Sequence, residues 1–552
     1  MSASSKKKLR NELNAAAMTE KQLQEQKEAN KLRLYTGLFA AAIVVMILVV
    51  IASRVSSSGI IPRNTTALTV VGTKISAAEL NHYYVDSVNN FMSGEYGQYA
   101  ALLGLDTSKP LDEQMYNEAE NQTWADYFLS NATTSAQNMY AIYNAAKAEG
   151  YTLSEAGKTS VETAVSNYRM YAGLYGFGST DAYIAAMYGE GCNEDTFRHY
   201  AEVQTLAGEY ATAKNESLTY DKAAIRAEDD ANPDEYSFFT YNYYYLANSK
   251  FYEGGTYNEE TQTTTYTDEE KEAGRAAAEA AANSLLSATT VEELDAAIAL
   301  LKINAAAETA PKSTLSTDTA YNSIMSALRE WVTADERKAG DIAVIPNEST
   351  THNHAEGEEC TGDDGETVIN GYYVVRFESM DENLTNLVNV RHILVSYEGG
   401  TTDANGTVTY SDEEKAKAKT AAEEILAAFE AGEKTEDAFA ALATEKSTDT
   451  GSKANGGLYE DVYPGQMVVN FNDWCFDEAR KPGDTAIVET EYGCHVMYFV
   501  STDENTYRDL MIESVLRNEE LTQWESDLIA ANELVVTNTK YVRKDLTLGS
   551  AT

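Results

Sequence analysis

Four polar side chains in the last third of the chain are of types that take part in hydrogen-bond and proton chemistry. His392 lies in the segment Val-Arg-His-Ile-Leu-Val, Asp449 ends the tripeptide Ser-Thr-Asp, and Thr490 and His495 stand on either side of Glu-Tyr-Gly-Cys. Taken singly, a histidine on a predicted strand is usually an ordinary core or surface residue, and such an aspartate usually belongs to a turn. Their meaning depends on the domain that positions them.

The C-terminal half contains an internal repeat that defines this domain. Tyr-Glu-Gly-Gly-Thr occurs at 252–256 and again at 397–401, and Arg-Lys-x-Gly-Asp occurs at 337–341 and again at 480–484. The offsets are 145 and 143 residues, and the common order and spacing indicate a duplication. We therefore predict two copies of one domain.

The two predicted copies share one order of elements. A β-rich segment comes first, at 238–246 or 388–396, and a helix then opens with a capping box, Thr267-x-x-Glu270 or Ser411-x-x-Glu414. In the second copy a shorter helix is predicted over 435–445, and strands over 485–490 and 495–500 close the domain. This order is typical of a small α+β domain with an antiparallel sheet.

The second copy resembles the parvulin-type (PpiC or rotamase) peptidyl-prolyl isomerases. About 115 residues match in family order: the His392 strand, Ser-Thr-Asp at 447–449, Gly-Gly at 456–457, Gly-Gln-Met at 465–467 with Phe471, Pro-Gly-Asp at 482–484 and the closing Thr-Glu-Tyr-Gly-Cys-His. The segment after Gly-Gly departs from the family, because Leu-Tyr-Glu-Asp stands where Asp-Leu-Gly is usual. This departure puts substrate preference in doubt rather than the fold.

The resemblance implies a catalytic set. The two family histidines, which hydrogen-bond to each other beneath the bound proline, correspond to His392 and His495. The family position occupied by Cys or Asp corresponds to Asp449, and the threonine of the closing turn corresponds to Thr490. The expected catalytic residues are therefore His392, Asp449, Thr490 and His495.

The resemblance also implies an apolar wall that holds the proline ring. This wall corresponds to Met467 and Phe471, with Tyr459 as a further candidate for substrate binding. Met467 and Phe471 are four residues apart, a spacing that is more often found in a helix core. Packing in the core and lining a proline site are compatible for these residues.

Proline isomerisation suits these residue types. The barrier is about 18–20 kcal/mol and comes from amide resonance, and no bond is made or broken. Neither a nucleophile nor a metal nor another cofactor is therefore expected. A dry apolar cup would hold the ring while the polar cluster stabilises the twisted amide, and a barrier lowered by about 4 kcal/mol would give roughly a thousandfold acceleration.

The first copy lacks this apparatus. Its opening strand has no histidine, Tyr373 stands where the second copy has His495, and the Gly-Gly and Gly-Gln-Met loop is missing. We predict that this copy is catalytically inactive, although its tyrosines could still bind extended chains. Its insertion at 346–369 contains His352 and His354 among carboxylates, for which we favour a solvated acidic hairpin over a metal site.

The region before the repeat is predicted to be mainly helical. Helices are expected at 77–91, 124–149, 153–175, 180–188 and 194–216, with a further helix at 507–531 after the second copy. The start, Val-Gly-Thr-Lys-Ile-Ser, resembles the N-terminal chaperone domains of PrsA-like and SurA-like foldases, in which a C-terminal segment packs back on these helices. The tyrosine-rich helices could form an ordinary core or a cleft for unfolded clients, and the sequence leaves both readings open.

The first sixty residues predict a membrane anchor. Residues 34–53 carry no charge, and 20 helical residues at about 1.5 Å each match a hydrocarbon core of about 30 Å. Residues 1–33 carry eight Lys and Arg against four Glu, which favours a cytoplasmic N-terminus and an extracytoplasmic body. A cleaved signal peptide is the alternative, which the length of the apolar run disfavours.

Composition and motifs together give one hypothesis. The chain has 552 residues, 42 Lys and Arg against 87 Asp and Glu, and a net charge of −45, so nucleic acid is not an expected partner. We expect an α+β chain with a basic tail at 1–33, a transmembrane helix at 34–53, a helical chaperone domain at 54–234, a degenerate parvulin-like domain at 235–380, an active one at 385–502, and a C-terminal helix region at 503–552 that packs on the chaperone domain.

The expected function follows from this arrangement. The protein would be a single-pass membrane foldase that isomerises Xaa-Pro bonds in unfolded or nascent secreted polypeptides. The alternatives are a non-catalytic holdase or scaffold whose parvulin-like domains only bind, and a cell-wall structural protein. No repeated wall-binding or sorting motif supports the last of these.

Overall fold

The computed structural model describes residues 43–46, 58–301, 303, 309–351, 366–403 and 406–548. The described residues form two compact units, one made of those up to Thr219 and from Arg517 onwards, the other of those within Tyr220–Leu516. The predicted membrane span at 34–53 lies outside the described residues except for 43–46. Within the described ranges, no helix is both long enough and apolar enough to cross a bilayer.

The first unit is mainly helical. Its elements are α1 (Ile60–Asn64), β1 (Thr66–Val70), β2 (Thr73–Ser76), α2 (Ala77–Ser93), β3 (Met115–Asn117), β4 (Gln122–Thr123), α3 (Trp124–Ala148), α4 (Glu155–Leu174), α5 (Thr180–Tyr188) and α6 (Glu194–Ser217). Helices α2 to α6 each begin after a Ser, Thr or Asn whose side chain accepts a backbone N–H of the first turn. These caps explain why the sequence predicted the helix starts to within two residues.

Aromatic side chains and the C-terminal segment complete this unit. Trp124 and Phe128 of α3 are fully buried in its largest core. Trp524 and Leu528, on the second half of α14 (Tyr507–Ala531), pack with Ile142 of α3 in a smaller core. Strand β17 (Leu534–Val536) then pairs with β1.

The second unit contains two four-stranded antiparallel sheets. Its elements are α7 (Lys222–Ala231), β5 (Phe238–Ala247), β6 (Thr256–Asn258), β7 (Thr263–Thr265), α8 (Asp268–Ser284), α9 (Val291–Leu300), β8 (Thr314–Ala320), α10 (Ser326–Val332), β9 (Ile342–Thr351), β10 (Glu366–Asp381), β11 (Asn386–Ser396), β12 (Thr401–Thr402), β13 (Val408–Thr409), α11 (Asp412–Ala431), α12 (Glu436–Lys446), β14 (Leu458–Val462), α13 (Val469–Cys475), β15 (Thr485–Thr490) and β16 (Gly493–Thr506). The sheet orders are β8-β5-β10-β9 and β14-β11-β16-β15. In each copy the first and last strands in the sequence, β5 and β10 or β11 and β16, therefore lie side by side at the centre of the sheet.

The repeated sequence motifs make the same contacts in both copies. The Arg337 guanidinium lies 3.9 Å from the Trp331 ring centroid, and the Arg480 guanidinium lies 4.3 Å from that of Trp474. Each arginine Nε also donates to the tryptophan carbonyl, at 3.0 and 3.1 Å. The predicted capping boxes at the starts of α8 and α11 are both present.

Strand β14 was not predicted from the sequence. It is the edge strand that pairs with β11, and it contains the Leu-Tyr-Glu-Asp segment that departs from the family pattern. The strand is short, Glu460 and Asp461 are exposed, and Asp461 has a φ of 53°, which interrupts the regular alternation of a strand. Because of these features the segment lacks the alternation of apolar and polar residues by which a strand is predicted from sequence.

Candidate active site

The two predicted histidines meet on the central strands of the second sheet. His392 of β11 pairs with Met497, and His495 of β16 pairs with Leu394, so the imidazoles lie diagonally on one sheet face. Their Nδ1 atoms are 3.0 Å apart, and the rings are 21° from parallel. Both residues are buried, with 3% and 5% of their surface exposed.

Asp449 reaches this pair from the loop after α12. The loop is tied to β11 because Ser447 Oγ accepts from the Leu394 N–H at 3.1 Å. Asp449 Oδ2 lies 3.0 Å from His392 Nε2 and also accepts from the Ser452 backbone N–H at 3.1 Å. Burial alone would raise the pKa of Asp449, but hydrogen bonds from Ser452 and His392 outweigh it and hold that pKa below its usual value.

Thr490 closes the other end of the polar chain. It ends β15 and lies at the turn into β16, where its Oγ1 is 2.9 Å from His495 Nε2. The same hydroxyl accepts from the Tyr492 N–H at 3.2 Å. Its proton has two acceptors within reach, and His495 Nε2 at 2.9 Å is much nearer than the Gly493 carbonyl oxygen at 3.5 Å.

The positions of the protons in this series of hydrogen bonds follow from the groups at its two ends, Asp449 and Thr490. Burial lowers the pKa of both histidines, that of His495 to about 4, so both rings are neutral near pH 7. The Asp449 carboxylate can only accept, so His392 carries its proton on Nε2 and presents a bare Nδ1. His495 must then donate from Nδ1 and accept from Thr490 at Nε2.

Apolar side chains border the imidazole pair. The Phe471 ring is buried and stands edge-on to both histidines, with centroid distances of 5.6 Å to His392 and 5.4 Å to His495. Met467 is half-buried and packs in the same apolar cluster. The structure thus brings the predicted wall residues and the predicted polar residues to one place.

Tyr459 has a second contact beyond the apolar wall. Its ring centroid is 5.2 Å from that of His392, and its hydroxyl donates to Asp449 Oδ2 at 3.2 Å. Tyr459 stands in the segment where this chain departs from the family pattern. The departure therefore adds a hydroxyl to the polar cluster.

Ser452 is a site residue that the sequence reading missed. It is 1% exposed, its Oγ lies 3.1 Å from His392 Nε2, and the same hydroxyl donates to Asp449. Within Asp-Thr-Gly-Ser-Lys it looks like an ordinary turn serine. The available signal was the turn itself: the Asp449 carboxylate accepts from the Gly451 N–H two residues on, as in an Asx turn, and from the Ser452 N–H that follows.

The first copy has tyrosines at the histidine positions. By strand register, Tyr243 of β5 corresponds to His392, and Tyr373 of β10 corresponds to His495. Their ring centroids are 6.3 Å apart. In the sequence, the histidines of this copy are His352 and His354 of the insertion, and residues 352–365 lie outside the described part of the chain.

The described residues contain no group of three or more His, Cys, Asp or Glu side chains arranged to hold a metal ion. Two stacked neutral imidazoles, a carboxylate and a hydroxyl form a fixed polar chain next to an aromatic ring. Such an arrangement can stabilise charge redistribution in a bound amide without forming a covalent bond.

Comparison with known proteins agrees with this geometry. Residues 372–502 match the family model of the PPIC-type PPIase domain. The chain is 32% identical over 165 residues to foldase protein PrsA 1 of Listeria innocua, covering 28% of this chain and 46% of the relative. It is 31% identical over 172 residues to foldase protein PrsA of Halalkalibacterium halodurans, covering 29% and 42%.

A solved structure gives a weaker likeness. The crystal structure of PrsA from Bacillus subtilis matches at 26% identity and a TM-score of 0.18, covering 27% of this chain and 50% of that one. The chain spans about half the length of the curated relatives it matches. Residues 372–502 therefore form a match to the PPIC-type PPIase domain, and 28–29% of the chain is similar to PrsA foldases.

Proposed function

We propose that residues 385–502 catalyse cis/trans isomerisation of Xaa-Pro bonds in polypeptides. One observation carries this proposal: His392 and His495 are hydrogen-bonded through their Nδ1 atoms at 3.0 Å beside the Phe471 ring. The match to the PPIC-type PPIase domain and the similarity to PrsA foldases support it.

The proposed mechanism uses the site as a fixed environment for a rotating amide. The proline ring lies against Phe471 and Met467, which exclude water. The peptide C–N bond loses its resonance as it twists, and its nitrogen and oxygen change charge. The hydrogen bonds that link Thr490, the two histidines and Asp449 are already in place, so these side chains stabilise the change in charge without reorganising.

The rest of the chain is assigned by the same proposal. Residues 34–53 anchor the protein in a membrane, with 1–33 in the cytoplasm and the remainder outside the cell. The helical region at 54–234 and the C-terminal region at 503–552 act as a chaperone domain for secreted chains. Residues 235–380 form a degenerate parvulin-like domain, which is supported by its strand order and by its repeated Trp–Arg contacts.

A refolding experiment separates this enzyme from a non-catalytic holdase. The substrate is a protein whose slow refolding phase is limited by proline isomerisation, which takes tens of seconds without a catalyst. The full chain at one-hundredth of the substrate concentration is expected to accelerate that phase. A holdase at this ratio would leave the rate unchanged, and that result would refute the isomerase.

Two variants at corresponding positions control the experiment. His392→Ala is expected to abolish the acceleration, whereas Tyr243→Ala, at the equivalent position of the first copy, is expected to retain it. Circular dichroism of both full-length variants checks that they fold. Equal loss of activity in the two variants would contradict the assignment of the site to the second copy.

A further inference from the structure

The first unit contains a cleft that the isomerase proposal does not use. Helices α2, α3 and α6 enclose a volume of about 410 Å³. Its lining includes Asp86 and Phe91 of α2, Tyr127 and Asn131 of α3, and Tyr200 of α6. The lining is aromatic and amide-rich, with a single carboxylate.

Asp86 is a half-buried carboxylate without a cationic partner. Its Oδ2 accepts from the Tyr200 hydroxyl at 2.5 Å, and burial raises its pKa. Among the residues that the structure describes, no lysine or arginine forms an ion pair with it. Arg198, two residues before Tyr200 on α6, is paired with Glu162 and Glu194. The negative charge is therefore only partly compensated, which is costly for a group withdrawn from water.

Aromatic rings hold the walls of the cleft in place. Tyr200 stacks on His82 with a centroid distance of 5.3 Å and meets Tyr83 edge-on at 4.9 Å. Across the lining, Phe91 and Tyr127 contact each other at 6.3 Å. Aromatic side chains beside one carboxylate suit an organic cation, for which cation–π attraction and a charge-assisted hydrogen bond are both within reach.

A metal ion suits this lining less well. Calcium and magnesium take six or more oxygen ligands, whereas this lining offers a single carboxylate.

The side-chain amides of Asn90, Asn131 and Gln204 also line the cleft, and each can both donate and accept hydrogen bonds. That pattern matches the backbone of an extended peptide.

We propose that this cleft binds the ammonium or guanidinium group of a lysine or arginine side chain carried by an unfolded polypeptide. The site lies in the helical unit and does not depend on the isomerase chemistry of residues 385–502. It would give the protein a preference for basic segments of its clients. The net charge of −45 would further favour the approach of such segments.

The test is a binding titration with blocked, extended peptides on the full-length chain. One peptide has a central lysine and another a central arginine, while matched peptides have norleucine and citrulline at that position. We expect the cationic peptides to bind at least tenfold more tightly than their neutral counterparts. Equal binding of charged and neutral peptides would overturn the proposal.

Substitutions locate the binding. Asp86→Asn keeps an oxygen that can accept from Tyr200 and is expected to lower affinity for the lysine peptide at least tenfold. Asp195→Asn, which removes an equal charge from the exposed surface of α6, is expected to leave the affinity unchanged. Equal effects of the two substitutions would show a general charge effect and overturn the site.

Stability distinguishes a ligand-binding carboxylate from a structural one. The raised pKa of Asp86 means that folding opposes its charge at neutral pH, so Asp86→Asn is expected to unfold no more easily than the parent chain. A clearly destabilised variant would assign Asp86 to structure instead.

Titration with n-butylammonium and methylguanidinium shows whether the ligand is a polypeptide or a free small cation. Weaker binding of these cations than of the peptides supports a polypeptide ligand. Equal binding overturns that part of the proposal.

Discussion

Replacing Thr490 by valine tests the proton order of the site. Valine has nearly the same shape as threonine but cannot donate to His495 Nε2, which now receives that hydrogen bond at 2.9 Å. Asp449 fixes the positions of the protons from the other end of the series. His495 therefore cannot move its proton from Nδ1 to Nε2, and the lone pair on Nε2 still needs a donor. The substitution therefore leaves the buried His495 Nε2 without a donor, and it also removes the oxygen that accepts from the Tyr492 N–H at the exposed turn.

The expected magnitude follows from two opposing effects. Thr490 and His495 are only 9% and 5% exposed, so water cannot replace the hydroxyl. An unpaired buried acceptor costs about 1–3 kcal/mol, and the added methyl group returns up to about 0.8 kcal/mol. A net local destabilisation of about 1–2 kcal/mol is expected, with a roughly tenfold loss of isomerase activity.

Amide hydrogen exchange and nitrogen NMR of the full chain measure these effects. Protection of the β15 and β16 amides is expected to fall by roughly tenfold, because exchange reports local opening. The His495 Nε2 signal should shift toward that of a free imine nitrogen, while the proton stays on Nδ1. Thr490→Ser restores the hydroxyl and should restore activity. Parent-like activity and protection in Thr490→Val, or failure of the serine to rescue, would refute the proposed order.

Three further predictions concern the same site. Asp449→Asn should keep the fold and lower isomerase activity roughly tenfold, because neutral hydrogen bonds replace charge-assisted ones. Substitution of the exposed Asp437 by asparagine should have no effect in the same assay. Activity should persist below pH 6.5 and fall near pH 4, because protonating His495 places a second proton on Nε2, where the ring now accepts from Thr490, and so reverses that hydrogen bond. The stability that depends on this depressed pKa is fully present above pH 6.5 and is lost as the pH falls toward about 4. A midpoint at pH 6.5 in the pH–rate profile would contradict this assignment. Full-length His392→Ala should show no residual isomerase activity, because the first copy has tyrosines at the histidine positions, and measurable residual catalysis would locate activity there.

Local signals made much of the architecture predictable. The start of α5 (Thr180) and the ends of α14 (Tyr507 and Ala531) match the prediction residue for residue, and both capping boxes form as expected. Capping residues and apolar spacing act within a few residues, so they can be read from the sequence. Strand β14 could not be read in this way, because its pairing with β11 is a long-range contact and its exposed face is acidic.

The site was predictable where a family motif was available and not where the contact is only geometric. His392 and His495 are 103 residues apart, and their meeting depends on the register of β11 and β16. Ser452 gave no comparable signal, since its contact with His392 depends on how the loop after α12 folds back. The hydroxyl contact of Tyr459 with Asp449 likewise appears only once β14 is placed.

The most direct test of the central claim is the cis/trans exchange rate of a short Xaa-Pro peptide, measured by NMR exchange spectroscopy with a small amount of the full chain. The spontaneous barrier is about 18–20 kcal/mol, so exchange is too slow to observe without a catalyst. We predict exchange cross-peaks with the parent chain and none with His392→Ala. Absence of cross-peaks with the folded parent chain, while the peptide binds, would contradict the account and leave a binding protein.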